Sequence, residues 1–167
     1  MNSCDEDCLA ALATALADKN NALVRVLFKV ESLHTVLVGH RVKWLTEARK
    51  ELEEAWADAL AIEPYFIQVL GEVAQSLKMA PESTLREIAE ACGEPWGFIF
   101  SQNREEILET AKQIEQISEL NKSMLARGHM ALSSAIGILG GNDLRTYDQL
   151  GGAVGRSGDI HIIDVRS

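Results

Sequence analysis

The stretch LAALATALADKNNALVRVLFKVESLHTVL, residues 9–37, decides the fold. Leu9, Leu16, Leu23, Val30 and Leu37 recur every seven residues, and Leu12, Lys19, Val26 and Leu33 form the second row of the same repeat. Lys19 is the only polar residue in either row. On a helix the two rows merge into one narrow apolar stripe, which buries itself against other helices. The strict seven-residue period predicts a left-handed packing seam and a helix from about Cys4 to Val38. At about 1.5 Å of rise per residue this helix is ~50 Å long, too long to lie across a small globule. A bundle or a coiled hairpin is its natural home.

Gly39-His40 follows, and a glycine just past the last periodic residue suits a left-handed helix cap. A second helix is expected from about Arg41 to Leu77, with apolar positions at Val42, Leu45, Leu52, Trp56, Leu60, Ile67, Leu70, Ala74 and Leu77. Pro64 lies inside it. Proline lacks the backbone donor and crowds the carbonyl four residues back, so a kink or brief break is expected near Ile62 to Pro64. Lys78 to Glu82 reads as a turn. Thr84 and Glu87 then have the spacing of a capping box opening a short helix from Leu85 to about Cys92.

Gly93-Glu94-Pro95 interrupts the chain again, and a last long helix begins between Trp96 and Asn103 and runs to Leu139. Phe98, Ile99 and Phe100 form either its first turn or an apolar plug at the bundle end. Its stripe holds Ile107, Ala111, Ile114, Leu125, Gly128, Leu132, Ala135 and Leu139. Asn121 falls on that stripe. There it either fixes register and partner choice, as a seam asparagine does, or is a polar residue at the margin.

The chain changes character at Gly140. Six of its twelve glycines lie between Gly140 and Gly158 and disfavour helix. Ile160 to Val165 is strand-like but has no evident strand partner in the chain, so it needs a surface to dock on. The expected organisation is a helical domain over 1–139 and a flexible tail over 140–167.

A net charge of −9 argues against nucleic acid, which requires clustered Lys and Arg. No apolar run approaches the ~20 residues that span a bilayer. The acidic start, Asn2 to Asp7, is unlike a secretory signal, so the cytoplasm is the expected compartment. Cys4 and Cys8 lie one helical turn apart, yet no second pair or nearby His completes a metal site, and with Cys92 they read as reduced thiols.

Catalytic readings fare no better. Histidine phosphotransfer needs a Lys three residues after the His and a Gly four after it, whereas His34 is followed by Leu37 and Val38. Glu105, Glu106, Glu109, Glu115 and Glu119 lack the Glu-x-x-His pattern of a di-iron bundle and read as a solvated helix face. Gly140-Gly141 and Gly151-Gly152 carry no P-loop context. No enzyme, cofactor or metal is expected.

The order of parts resembles the FlgN-type flagellar export chaperones. Two long amphipathic helices precede STLREIAEA, residues 83–91, and a Pro95-Trp96 turn. A long helix bearing ISELNKSML, residues 117–125, then leads to a Gly-rich tail with TYDQLGG, residues 146–152. The likeness spans the whole chain as architecture and is specific as sequence over about 120–152. Pro64 and the 160–165 ending depart from the pattern.

The resemblance implies a cytoplasmic chaperone that binds hook-associated (hook–filament junction) proteins through their terminal helices, stops them associating early and delivers them to the export gate. It places partner binding on Asn121, Leu125, Leu132, Ile136, Leu139 and Leu144, with Tyr147 as the gate contact. Against that stands simple packing: Leu125, Leu132 and Leu139 as intramolecular core, and Tyr147 folded back on its helix. The expected fold is all-α, an elongated antiparallel bundle or coiled coil of three long helices plus a short one, ending in the tail. The alternative function is a structural or signalling bundle that forms homo-oligomers through its seams.

Overall fold

The computed structural model describes the backbone of residues 3–138 and the side chains of residues 6–135. Helix α1 spans Ser3–Val38, a single 3-10 turn spans Val42–Trp44, and α2 spans Leu45–Ser76. The short α3 spans Leu85–Cys92, and α4 spans Trp96–Ile138. The chain is all-α, as the heptads require.

Helix α1 is the central element. Both α2 and α4 pack along it, and among the described residues no α2 backbone position comes within 8 Å of α4. Ion pairs from Lys19 to Glu63 and from Lys29 to Glu51 show that α2 runs antiparallel to α1. Asn20 bonds Glu106, and His34 bonds Asn121, so α4 runs parallel to α1. That direction follows from α3 and the Gly93–Pro95 turn, which restart the chain at the end where α1 began.

Every residue of the two α1 heptad rows is buried or half-buried. The lower core joins Leu9, Leu12 and Leu16 to Phe66, Val69, Val73, Leu85, Ile88, Phe100 and Ile107. The upper core is smaller: Val26, Val30 and Ile114, flanked by Leu52, Trp56 and Ile117. Lys19, the one polar residue of the stripe, keeps its ammonium 2.6 Å from Glu63 and 4.4 Å from the centre of the Phe66 ring. A buried charge costs free energy unless it is paired, so this site holds α1 and α2 in one register.

The helix ends use local chemistry. Thr84 Oγ1 accepts from the Glu87 N–H (3.2 Å), and the Glu87 carboxylate accepts from the Thr84 N–H (2.7 Å), which completes the capping box. The bond from the Thr84 N–H, with a second from the Thr84 hydroxyl, holds the Glu87 carboxyl below its ordinary 4.5. After α1, the Arg41 N–H donates to the Val36 carbonyl and the His40 N–H to that of Leu37. The same pair of bonds follows α2, from Met79 to Ala74 and from Lys78 to Gln75. Both are Schellman caps. The left-handed residue is His40 (φ 50°) in one and Lys78 (φ 58°) in the other.

Several expectations need correction. Gly39 is not the left-handed cap; the turn places that conformation one residue later. The second helix begins at Leu45, after the 3-10 turn. Pro64 does not break α2. It sits on the exposed side, where water can bond the carbonyl it leaves unpaired, while Phe66 and Val69 anchor the helix on the core side. Val42, Leu60 and Ile67, read as stripe positions, are exposed. Phe98 to Phe100 lie in the first turns of α4, with Phe100 buried and stacked on Trp96 at 5.8 Å between ring centres. Gly97 is required there: a Cβ on it would lie 2.5 Å from the Ala89 carbonyl oxygen.

Candidate partner-binding surface

The stripe of α4 changes its use at Asn121. Below that residue it is core: Ile107 and Ile114 are buried against α1. Above it the same helical face is open. Leu125 is 41 % exposed and Leu132 54 %, although both lie on the same helical face as Ile114, 11 and 18 residues further on. Gly128 and Ala135 on that face are exposed as well. Among the described residues, nothing buries Leu125 or Leu132.

Helix lengths explain the switch. Asn121 lies level with Val30 and His34. Past His34, α1 continues only to Val38, about 6 Å, whereas α4 runs from Asn121 to Ile138, about 26 Å. Roughly 20 Å of α4 therefore overhangs its support.

Asn121 itself is 4 % exposed and belongs to the seam. Its amide nitrogen donates to the Val30 carbonyl at 3.1 Å. That carbonyl can only accept, which fixes the amide orientation and turns Oδ1 toward His34 Nδ1, 2.8 Å away. The His34 proton therefore sits on Nδ1. Asn121 holds α4 to α1 at the point where the overhang begins, and its side chain faces inward.

Ile136 lies in α4, with its side chain beyond the described ones. Leu139, Leu144 and Tyr147, together with the 140–167 tail and its Ile160 to Val165 segment, lie outside the described residues. Of the site residues read from the sequence, the structure thus displays Leu125 and Leu132 on one open face and buries Asn121 beside it.

Sequence reasoning missed the α1–α2 turn. Val38, Val42 (75 % exposed) and Trp44 (52 %) are presented at the end from which α4 projects. Lys43 places its ammonium 5.2 Å from the Trp44 ring centre, and Arg41 is exposed. The signal was available in HRVKW, residues 40–44, where an apolar pair alternates with basic residues directly after a helix stop. That alternation does not suit a buried seam.

The described residues hold no group of three His, Cys, Asp or Glu side chains placed for a metal ion, and none of their helices is long and apolar enough to cross a membrane. Burial pushes the half-buried Cys92 thiol above its ordinary value, which disfavours the reactive thiolate.

The geometry thus defines an all-α bundle that leaves the projecting half of one helix without cover among the described residues. The sequence matches the model of the FlgN protein family over residues 7–155, through all four helices and into the tail, and the chain belongs to that family. It is a family of flagellar chaperones, not known for enzymatic activity. Neither the curated proteins nor the solved structures give a match.

Proposed function

We propose that this protein is a cytoplasmic export chaperone for flagellar hook-associated proteins. It covers a client's terminal amphipathic helix on the open α4 face beyond Asn121 and delivers the client to the export gate. The observation that carries this reading is the switch of the α4 stripe from buried at Ile114 to exposed at Leu125 and Leu132. An apolar stripe without a partner among the described residues suits one half of helix-in-groove recognition. Ile136, Leu139 and Leu144 extend the surface along the chain, and Tyr147 is the residue assigned to the gate. Occupying the client's helix would keep it from pairing before export.

The test is capture of a hook–filament junction protein from cytosol by the full-length chain, beside a Leu125→Asp/Leu132→Asp variant. The wild type is expected to retain the client and the variant to lose it with unchanged helicity. If the variant keeps the client, the site moves off α4. If neither captures such a protein and the wild type self-associates through the same face, the chain is a structural bundle.

A further inference from the structure

The two longest runs without Asp or Glu in this acidic chain are residues 32–46 and 120–142. The fold brings the described parts of both to one end of the bundle. The first supplies the end of α1, the 3-10 turn and the start of α2, with Val38, Val42 and Trp44 exposed beside exposed Arg41 and Lys43. The second supplies the overhang of α4, with Leu125 and Leu132 exposed on the same helix as Lys122 and Arg127. Residues 1–121 hold 21 acidic against 11 basic side chains, whereas 122–138 hold Lys122 and Arg127 and no acid. Among the described residues, an acidic body therefore ends in a basic, apolar tip.

We infer that this tip is one two-part docking surface for an acidic amphipathic helix. The partner's apolar face lies on Leu125 and Leu132, and its flanking carboxylates face Arg127, Arg41 and Lys43, with Trp44 as the apolar contact on the turn. The inference rests on the chaperone reading and deepens it: it names the chemistry of the client helix and adds the α1–α2 turn to the site. Lys122 contributes least, because it is already paired with Glu119. Arg127 donates Nε–H to the Ser123 carbonyl, which holds its stem along the helix.

Charge complementarity selects this occupant. A second copy would set basic tip against basic tip, and like charges across an interface oppose association. An anionic bilayer also attracts basic residues, but it is met by a broad apolar face. The overhang offers a narrow seven-residue stripe, and at Gly128 between its two leucines an added Cβ would meet nothing within 4 Å, so a partner backbone can come close.

The experiment uses the full-length protein and two labelled synthetic helices that share one leucine heptad stripe. One is flanked by Glu, the other by Lys, and binding is read by fluorescence anisotropy. The Glu probe is expected to bind at least tenfold more tightly than the Lys probe, with an advantage that shrinks as salt is raised. Arg41→Glu/Lys43→Glu is expected to weaken the Glu probe roughly tenfold, as summed from several modest exposed pairs turned repulsive. Glu82→Lys/Glu94→Lys, at the opposite end, should leave it unchanged.

Equal affinity for the two probes, or an unchanged Glu-probe affinity in Arg41→Glu/Lys43→Glu, overturns the inference. So does binding to phosphatidylglycerol vesicles that the Glu probe fails to displace, which would assign the tip to a membrane. Client capture that survives Arg41→Glu/Lys43→Glu sinks the two-part surface and leaves the chaperone standing. Absence of any client with the wild type sinks the chaperone reading itself.

Discussion

One stripe on one helix should give two opposite answers to the same perturbation. Ile107, Ile114, Leu125 and Leu132 share a face of α4, and each can be cut to alanine singly. Ile107 is fully buried and Ile114 nearly so, both in cores with tightly packed neighbours. Removing such a side chain loses its transfer free energy and leaves a cavity, a cost of about 2–5 kcal/mol. Leu132 is more than half exposed before any partner arrives, and its truncation should fall within about 0.5 kcal/mol of the wild type. Leu125, at 41 % exposure, should cost about 1 kcal/mol, its share of the ~1.5–3 kcal/mol of a fully buried leucine. The assay is urea unfolding followed by circular dichroism at 222 nm, with the slope held common so that midpoints report stability. A Leu132→Ala cost above about 2 kcal/mol would show that the overhang is covered in the free protein, and the docking argument would fall with it. A cost below about 1 kcal/mol for Ile114→Ala would refute the upper core.

Four further outcomes follow from the described contacts. In a double-mutant cycle, His34→Ala and Asn121→Ala should couple by about 1 kcal/mol, the usual net value of one buried hydrogen bond; coupling below about 0.3 kcal/mol would deny the His34–Asn121 contact. Lys78→Gly should stabilise by about 0.5 kcal/mol in the same urea assay, since relief of a left-handed side chain outweighs the greater freedom of unfolded glycine; destabilisation would contradict the cap. Gly97→Ala should cost about 1–3 kcal/mol because its Cβ meets the Ala89 carbonyl, and a stabilised variant would show that α3 and α4 separate freely there. Glu87 has a folded value below its unfolded one, so its contribution is present above the unfolded value and disappears as pH falls through the folded value. Protection of the α3 amides, measured as exchange relative to the intrinsic rate at each pH, should fall on acidification through that window in the wild type and not in Glu87→Gln; identical protection profiles would remove the capping box from the account.

The helices were legible because their information is local. Two rows of α1 at seven-residue spacing, a Thr84/Glu87 pair and a Gly-Glu-Pro interruption each fix an element within a few turns. Periodicity shows that a face is apolar but not what covers it. Ile114 and Leu125 carry the same signal, and only the end of α1 at Val38 separates their fates. Lys19 and Asn121 looked alike as polar faults in a stripe, and their partners Glu63, Val30 and His34 lie 44 to 91 residues away. Leu60 and Ile67 misled because α2 packs mainly on α1, so its apolar positions outnumber its buried ones, and Val42 misled because it lies in the 3-10 turn before α2. Of the candidate surface, Leu125 and Leu132 were readable from spacing and family resemblance. The Trp44 side of the tip was hidden by the assumption that α2 begins at Arg41.

The central place of α1 orders the assembly of the chain. Helices α1 and α2 are joined by a short turn and meet through pairs such as Lys29–Glu51, so their hairpin closes a small loop at modest entropic cost. Helix α4 meets α1 only across separations such as Asn20 to Glu106 and Val30 to Asn121, and those contacts must wait for most of the chain to leave the ribosome. Because α4 makes its close backbone approaches to α1 and α3 and none to α2 among the described residues, its loss would leave the backbone pairing of the α1–α2 hairpin in place, while removing Phe100 and Ile107 from the lower core. A chain caught in that state offers a vacant α1 flank shaped for an α4, and at high concentration the α4 of a neighbouring molecule can fill it. Exchange of α4 between copies is thus the misassembly this topology favours.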